Sequence, residues 1–331
     1  MLTSLVGSEM CIRDRSENLF EGLAPWLQKL PGGLIHVNVV GCALFAAISG
    51  SSAATVATVG KMSIPELRKR KYPEKILLGS LAGSGTLGLL IPPSIILIIY
   101  GVTVQESIAK LFIAGIIPGI MIALIFMGYV IVWSLLNRNK MPSSYENFSF
   151  LNKLSKSKQL IPVILLIISV IGSIYTGVAT ATEAASLGVV GALILSYFQK
   201  SLTLKTFKES LLGATKTSCM IAFILAGATF LSLAMGFTGL PRNLALWIQN
   251  MELSPYALIF VLMIFYIILG MFLDGISAVV LTMAIIEPMI RQAGFDMIWF
   301  GIFLVIVVEM AQITPPVGFN LFVLQGMANK D

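Results

Sequence analysis

Two short clusters of small and hydroxyl-bearing residues interrupt apolar segments of this chain. The first covers residues 49–52 (Ser-Gly-Ser-Ser), and the second covers residues 274–277 (Asp-Gly-Ile-Ser). A Pro-Pro pair follows each cluster, at residues 92–93 and 315–316. An unwound helix in apolar surroundings offers free carbonyl groups, which join hydroxyl or carboxylate groups as ligands for a hard cation such as sodium. The clusters and the breaks therefore predict two cation sites.

The helices that begin after the clusters indicate a second kind of ligand. The first N–H groups of a helix lack partners and carry the positive end of its dipole, which suits a carboxylate. We therefore expect an organic anion beside the cation, while the competing interpretation is a tight turn that only lets helices pack. The predicted sodium-binding residues are Ser49, Gly50, Ser51, Ser52, Pro92, Pro93, Asp274, Gly275, Ser277, Thr314, Pro316 and Gly318. The predicted substrate-binding residues are Ser52, Ser94, Ser277 and Asn320.

Several titratable residues also lie in apolar segments. Asp274 either binds sodium or caps the helix that starts after it. Glu183 and Glu309 are intramembrane candidates that either function or pair structurally, and His36 is either a proton relay or, as we favour, a packed and hydrogen-bonded residue. An intramembrane enzyme that uses Asp274 and Glu309 as an acid pair is a remote alternative, because no Ser/His pair or metal-ligand cluster supports it.

The composition is that of a membrane protein. Hydrophobic residues make up 57% of the 331 residues and charged residues only 11%, and the mean hydropathy is +0.92. Soluble domains carry about 25% charged residues. Because helices satisfy their own backbone groups inside lipid, the sequence predicts an all-α, polytopic membrane protein. The net charge is +6, and the basic residues cluster in loops beside apolar segments. This pattern indicates cytoplasmic loops rather than a nucleic-acid partner.

The loops and apolar segments divide the chain. Basic stretches at residues 61–75, 137–158 and 200–216 are predicted cytoplasmic loops, and residues 238–255 are predicted on the outer side. The start has no counterpart in the rest of the chain, and the end follows a hydrophobic run directly, so we interpret the chain as a fragment. The predicted parts are a non-native leader (1–15), a first repeat (16–136), a cytoplasmic linker (137–159) and a second repeat (160–331).

An internal repeat relates the two clusters. Pro65 and Pro92 match Pro288 and Pro315, since 288 − 65 and 315 − 92 both equal 223. Residues 50–53 match 275–278 at an offset of 225, so one two-residue gap reconciles both blocks. Each half therefore predicts an apolar arm, a turn, a second arm that ends at a proline, a loop, and a span broken by Pro-Pro.

The loops of the two halves differ in charge, which predicts opposite orientations. Residues 61–75 contain six basic residues, whereas the corresponding residues 289–297 contain only Arg291. Inverted repeats with broken helices are typical of secondary transporters, whose ligand sites lie near the bilayer midplane. We predict two re-entrant hairpins, with tips near Gly50 and Gly275, and helices broken near residues 92 and 315.

Long motifs in the same order also resemble the large membrane subunit of tripartite ATP-independent periplasmic (TRAP) transporters, part of a broader ion-transporter group. The resemblance covers residues 31–328. The most specific motifs are PGGLIHVNVVGCALFAAISGSSAA, IPPSIILIIYG, LFIAGIIPGI, MFLDGISAVVLTM and ITPPVGFNLFVLQGMA. The second turn and the TPPVG break match ion-site motifs of the family.

This resemblance implies a function and a set of partners. It implies sodium-coupled uptake of small organic acids, such as C4-dicarboxylates, sugar acids or sialic acid, across a bacterial inner membrane. The partners would be a small membrane subunit and a periplasmic binding protein that delivers the substrate, with sodium as coupling ion and no other cofactor. It also implies elevator-like movement of a transport domain against a scaffold. A stand-alone sodium-carboxylate symporter of the same broad fold is the alternative.

Overall fold

The computed structural model describes residues 20, 22–142, 150–158, 160–198, 200, 202–239, 243, 246 and 254–328. The proposed leader (1–15), part of the linker and most of the predicted outer segment lie outside the described residues. Within the described part of the chain, all regular secondary structure is helical, which confirms the predicted all-α class.

The helices that bear on the site follow one another along the chain. They are α1 (Ile35–Ser49), α2 (Ser52–Lys69), α3 (Glu74–Gly85), α4 (Leu87–Leu90), α5 (Ile95–Thr103), α6 (Ile108–Leu136), α7 (Phe150–Ser157), α8 (Ile161–Tyr175), α9 (Ala181–Phe198), α10 (Leu204–Thr238), α11 (Pro255–Gly270), α12 (Gly275–Gln292), α13 (Met297–Gln312) and α14 (Phe319–Ala328).

Several helices are long and apolar enough to cross a membrane. Among the described residues, α6, α9, α10 and α12 meet this condition singly, by length and composition. The pair formed by α3–α4 and α5 meets it together, with a bend of 41° at the first Pro-Pro pair. These helices confirm the prediction of a polytopic membrane protein and place the first broken span where the sequence predicted it.

Two local predictions were wrong. The helices do not end at Pro65 and Pro288 but continue to Lys69 and Gln292, because each proline lacks only one N–H donor and helix packing tolerates that loss. The basic stretch of residues 200–216 is not a loop throughout, since Lys205, Lys208 and Lys216 lie within α10. Residues 61–69 of the first basic stretch are likewise helical.

The first hairpin joins α1 and α2, which pack along each other, through residues 49–52, hereafter the first tip. Gly50 has a φ of +61°, a left-handed conformation that suits glycine, and its N–H donates to the carbonyl of Ala46. Ser51 caps α2, its hydroxyl accepting from the N–H of Ala54 at 3.5 Å. Glycine and serine thus reverse the chain within two residues.

The second hairpin joins α11 and α12 through residues 271–275, hereafter the second tip. Asp274 caps α12. Tyr266 and Thr282, each eight residues from Asp274, share a hydrogen bond of 2.6 Å between their hydroxyl oxygens. This bond fixes the antiparallel register of the two arms, and the location of both tips agrees with the sequence prediction.

The two halves exchange helices in their packing. Helix α5, after the first Pro-Pro pair, packs on α12 of the second hairpin, and α14, after the second pair, packs on α2 of the first hairpin. A Cβ built on Gly60 would lie 2.9 Å from Cε of Met327. Reciprocal contacts of this kind are what a two-fold relation between repeats produces. The inversion of the repeats across the membrane stays a prediction.

The first tip is joined to residues 91–94, hereafter the first break. The N–H of Ile95 donates to the carbonyl of Gly50 at 3.2 Å. A Cβ on Gly50 would lie only 2.7 Å from the carbonyl oxygen of Pro93, so the backbones touch directly. The Pro92-Pro93 bond is cis, as is Pro315-Pro316.

The close approach at Gly50 predicts a specific loss of stability on substitution. Gly177 is a matched control, because its φ is +71° but no atom lies within 4 Å of its built Cβ. Gly177→Ala should lower the free energy of unfolding by about 1–2 kcal/mol through backbone strain alone. Gly50→Ala should cost about 1–3 kcal/mol more, because the tip must move away from Pro93.

Thermal unfolding of both variants in the same detergent measures this difference. Equal shifts in Tm for the two variants would contradict a direct contact between the first tip and the first break.

Candidate functional site

The side chain of Gln312, the last residue of α13, lies between the two tips. The hydroxyl of Ser52 donates to its Oε1 at 3.0 Å. On the other side, a Cβ built on Gly275 would lie 2.7 Å from its Nε2. Gln312 is buried, with 2% of its surface exposed. One amide group therefore separates two tips that are distant in sequence.

Oxygen atoms of the first tip form a compact group. The hydroxyls of Ser49 and Thr55 lie 2.7 Å apart, and the Thr55 hydroxyl donates to the carbonyl of Ser51, also at 2.7 Å. A Cβ on Gly88 would lie 2.6 Å from that same carbonyl oxygen, so α4 approaches the tip closely. The predicted residues Ser49 and Ser51 are thus brought together, next to Gly50 and the carbonyl of Pro93.

The second tip is organised by a carboxylate. Oδ2 of Asp274 accepts from the N–H groups of Ile276 and Ser277 at 3.1 and 3.2 Å. Its Oδ1 accepts from the hydroxyl of Ser277 at 2.5 Å. Asp274 therefore fulfils the capping role that the sequence offered as one alternative. A role in binding sodium stays a prediction.

Residues 313–318, hereafter the second break, are more open than the first break. Pro315 and Pro316 are exposed, and the hydroxyl of Thr314 donates to the carbonyl of Met310 at 2.7 Å. In the first half, the first tip and the first break share a main-chain bond. The equivalent bond, from Gly318 to Gly275, is not formed between these two described residues. Near this break, the side chains of Gln312 and Val308 on α13 lie against Gly275 of the second tip.

The remaining predicted residues fall into two groups. Pro92 and Ser94 are buried in the first break, where the Ser94 hydroxyl accepts from the N–H of Leu97 at 3.3 Å and donates to the carbonyl of Leu89. Ser94 is therefore committed to capping α5. Asn320 is fully buried on α14, and neither atom of its amide has a hydrogen-bond partner among the described residues.

The other titratable candidates have different surroundings. Glu183 is exposed and accepts hydrogen bonds from the N–H and hydroxyl of Thr180, both at 2.8 Å, which is a capping arrangement. His36 is buried, and its Nε2 lies 2.8 Å from the carbonyl oxygen of Pro31, as expected for a packed, hydrogen-bonded residue. Glu309 is buried without the structural partner that was one alternative for it.

Sequence reasoning missed Gln312, Thr55 and Gly88. Thr55 follows Ser51 by one helical turn, so the i, i+4 spacing was a usable signal for its place at the first tip. Gly88 precedes Pro92 by four residues, but nothing in the sequence shows which backbone approaches it. Gln312 contacts both tips only through tertiary packing, which no local pattern reports.

A cleft opens beside the first tip. One wall includes Ser49, Gly50 and Pro93, and the facing wall belongs to α8 and α9, with Val170 and Ala185 among its residues. Helices α8 and α9 pack closely on each other and only slightly on α6. Most of the lining is apolar, so the two walls meet through side chains that form few directional bonds.

Comparison with known proteins identifies the family. Residues 4–331 match the family described as "Tripartite ATP-independent periplasmic transporter, DctM component". The C4-dicarboxylate TRAP transporter large permease protein of Pseudomonas aeruginosa is 35% identical over 293 residues, which cover 88% of this chain and 68% of that protein. The family match contains all the motifs described above.

Two further relatives are named for other substrates. The isethionate TRAP transporter permease protein of Oleidesulfovibrio alaskensis is 34% identical, over 92% of this chain and 48% of its own length. The 2,3-diketo-L-gulonate TRAP transporter large permease protein of Escherichia coli is 32% identical, over 90% of this chain and 70% of its own length. The chain therefore belongs to the DctM family of TRAP transporters, as the large permease component, a multi-pass protein of the inner membrane and not an enzyme.

Proposed function

We propose that this chain carries a small organic acid across the inner membrane together with sodium. The observation that carries this proposal is the meeting of both tips at Gln312, because it gathers oxygen ligands and amide donors from both halves at one place. Secondary transporters bind ion and substrate where broken helices from two repeats converge. A membrane anchor without transport activity has no need for such an arrangement.

The sodium sites belong to the two tips. In the first tip, Ser49, Ser51 and Thr55 offer hydroxyl and carbonyl oxygens within hydrogen-bond distance of each other. In the second tip, Asp274 supplies a carboxylate, with Ser277 beside it. Hard cations prefer such oxygen groups. The Thr314, Pro316 and Gly318 ligands would join the second site when the second break closes on its tip.

The substrate anion binds between the tips, on the side of the first. The N–H groups at the start of α12 already donate to the carboxylate of Asp274, and the hydroxyls of Ser94 and Ser277 are engaged. The start of α2 has no acidic residue in its first turn. An incoming carboxylate would therefore find its donors at the amide of Asn320, which has no partner among the described residues, at the amide of Gln312, and at Ser52 once its bond to Gln312 is replaced.

The substrate is a small oxygenated organic acid. The relatives are named for C4-dicarboxylates, isethionate and 2,3-diketo-L-gulonate, which share an anionic group and further oxygen atoms. Amide and hydroxyl donors at the tips suit this shared chemistry. The proposed partners are a periplasmic binding protein that delivers the acid and a small membrane subunit, in line with the word "tripartite" in the description of the family.

The movement that transports the acid is an elevator-like displacement of the tips against α8 and α9. The apolar cleft supports this proposal, because a surface with few directional bonds can slide without breaking a hydrogen-bond network. By contrast, the first tip is bonded to the first break through Ile95 and to Gln312 through Ser52, so these parts move as one unit.

Uptake into proteoliposomes tests the proposed function. The complete permease, with its small subunit and the co-encoded binding protein, should accumulate substrate only under an inward sodium gradient. Replacement of sodium by potassium should abolish accumulation. Uptake that needs sodium but not the binding protein would instead favour a stand-alone sodium-carboxylate symporter, and equal uptake in potassium would refute sodium coupling.

Thr55→Val tests the first sodium site with little change in side-chain volume. The variant removes one hydroxyl ligand, so the sodium concentration for half-maximal uptake should rise about tenfold or more. Thr215→Val is the matched control, because Thr215 makes the same 2.7 Å bond to the carbonyl four residues earlier but lies on exposed α10. Equal sodium dependence in both variants would remove Thr55 from the site.

Gln312→Leu tests the contact with the substrate. It leaves the Ser52 hydroxyl without its acceptor and removes the amide donor, so the substrate KM should rise about tenfold. Gln325 is the control, because it is an exposed glutamine on α14, and Gln325→Leu should have the KM of the wild-type protein. A KM unchanged by Gln312→Leu, in protein of normal Tm, would place the substrate elsewhere.

A further inference from the structure

Glu309 is a buried acid without any partner in the described part of the chain. Only 4% of its surface is exposed. Among the described residues, neither carboxyl oxygen has a hydrogen-bond partner and no ion pair involves Glu309. It lies on α13, one helical turn before Gln312, and therefore close to the meeting point of the two tips.

The face of α13 that carries Glu309 is turned toward the first half. Ile302 lies two turns earlier on the same face, and its Cδ1 would be 3.6 Å from a Cβ on Gly115 of α6. That same Cβ would lie 3.0 Å from the carbonyl of Leu90, beside the first break. Glu309 is thus placed among helices from both halves rather than at a lipid-facing surface.

The titratable groups on the helices packed against α13 are engaged or point away. The Tyr100 hydroxyl donates to the carbonyl of Met297, and Tyr266 bonds to Thr282. Met297 is twelve residues from Glu309, about 18 Å along the helix. Near that same end, Arg291 of α12 pairs with Glu287 and Glu106. The others are exposed at the surface: Lys110, Tyr129 and Tyr256.

An ionised carboxylate cannot stay in such a place without compensation, since burial of a charge is costly unless the charge is paired and hydrogen-bonded. No cationic side chain of the described residues pairs with it. A sodium ion would need a shell of several further oxygens, whereas neither carboxyl oxygen of Glu309 has a polar neighbour at hydrogen-bond distance among the described residues. A proton neutralises the carboxylate without any such shell.

We propose that Glu309 binds a proton in this conformation and is a proton site of the transporter, separate from the sodium sites at the tips. The role of this proton in transport rests on the proposed function, whereas its binding to Glu309 does not. When the tips part and water reaches the carboxyl group, the O–H bond breaks, the proton passes to water and the hydrated carboxylate is left behind. The packed arrangement of the tips thus depends on one bound proton.

The sign of the pH effect follows from this proton. The packed state holds one proton more than the unfolded state, in which Glu309 ionises in water above about pH 4.3. Stability of the packed state therefore falls as pH rises. In Glu309→Gln the side chain is neutral at every pH, so this part of the pH dependence should disappear.

Thermal unfolding of the complete permease in detergent tests the proposal without any transport assay. Between about pH 6 and 9, the wild-type Tm should fall more steeply than that of Glu309→Gln. The difference in slope should correspond to about one proton released on unfolding. Glu183→Gln is the control, because Glu183 is exposed, and its slope should equal that of the wild type. Parallel slopes for wild type and Glu309→Gln would overturn the proposal, since a purely structural role shifts Tm by the same amount at every pH.

A carbodiimide that modifies protonated carboxyl groups in apolar surroundings gives a second readout. Mass spectrometry should find the adduct at Glu309 but not at Glu183, with labelling that decreases as pH rises. If sodium suppressed the labelling at constant pH and potassium did not, the carboxyl group would bind a sodium ion instead of a proton, and the proposal would be overturned. A pH-dependent slope in protein that shows no uptake would leave the proton site in place and refute the transport function alone.

Discussion

The structure depends on one constraint: backbone groups freed by a break in an apolar environment must find partners inside the protein. The first break meets this requirement by direct contact with the first tip, through the bond from Ile95 to Gly50. Glycine is needed at the tip because Pro93 leaves no space for a side chain. The elements proposed to bind ligands therefore also hold the fold together.

This sharing extends across the two halves. One hydrophobic core combines α5 and α6 with the second hairpin, and another combines the first hairpin with residues of α14. Neither hairpin buries its apolar surface within its own half alone. Gln312 contacts both tips, between these two cores. Because the interior is closely packed, we expect a displacement of one tip to displace side chains at the other.

Much of this arrangement could be predicted from the sequence, because apolar length, proline pairs and glycine-serine turns act locally. The tips near Gly50 and Gly275 and the span broken at Pro92 follow from such patterns. The continuation of α2 through Pro65 was missed because tertiary packing outweighs the loss of one helical bond. Gln312 and the unpaired state of Glu309 depend on which helices meet, and that information is absent from any single segment.

The two breaks differ in closure, and this difference bears on how ion binding is linked to movement. The first break is held by its tip, whereas the second break exposes Pro315 and Pro316 and lacks the equivalent bond. An ion bound by both the second tip and the second break, as proposed above, would have to bring these segments together, so part of its binding free energy would go into closure and its apparent affinity would fall accordingly. This cost would couple ion binding to closure of the second break, because an ion bound equally well by the open and closed forms would drive no motion.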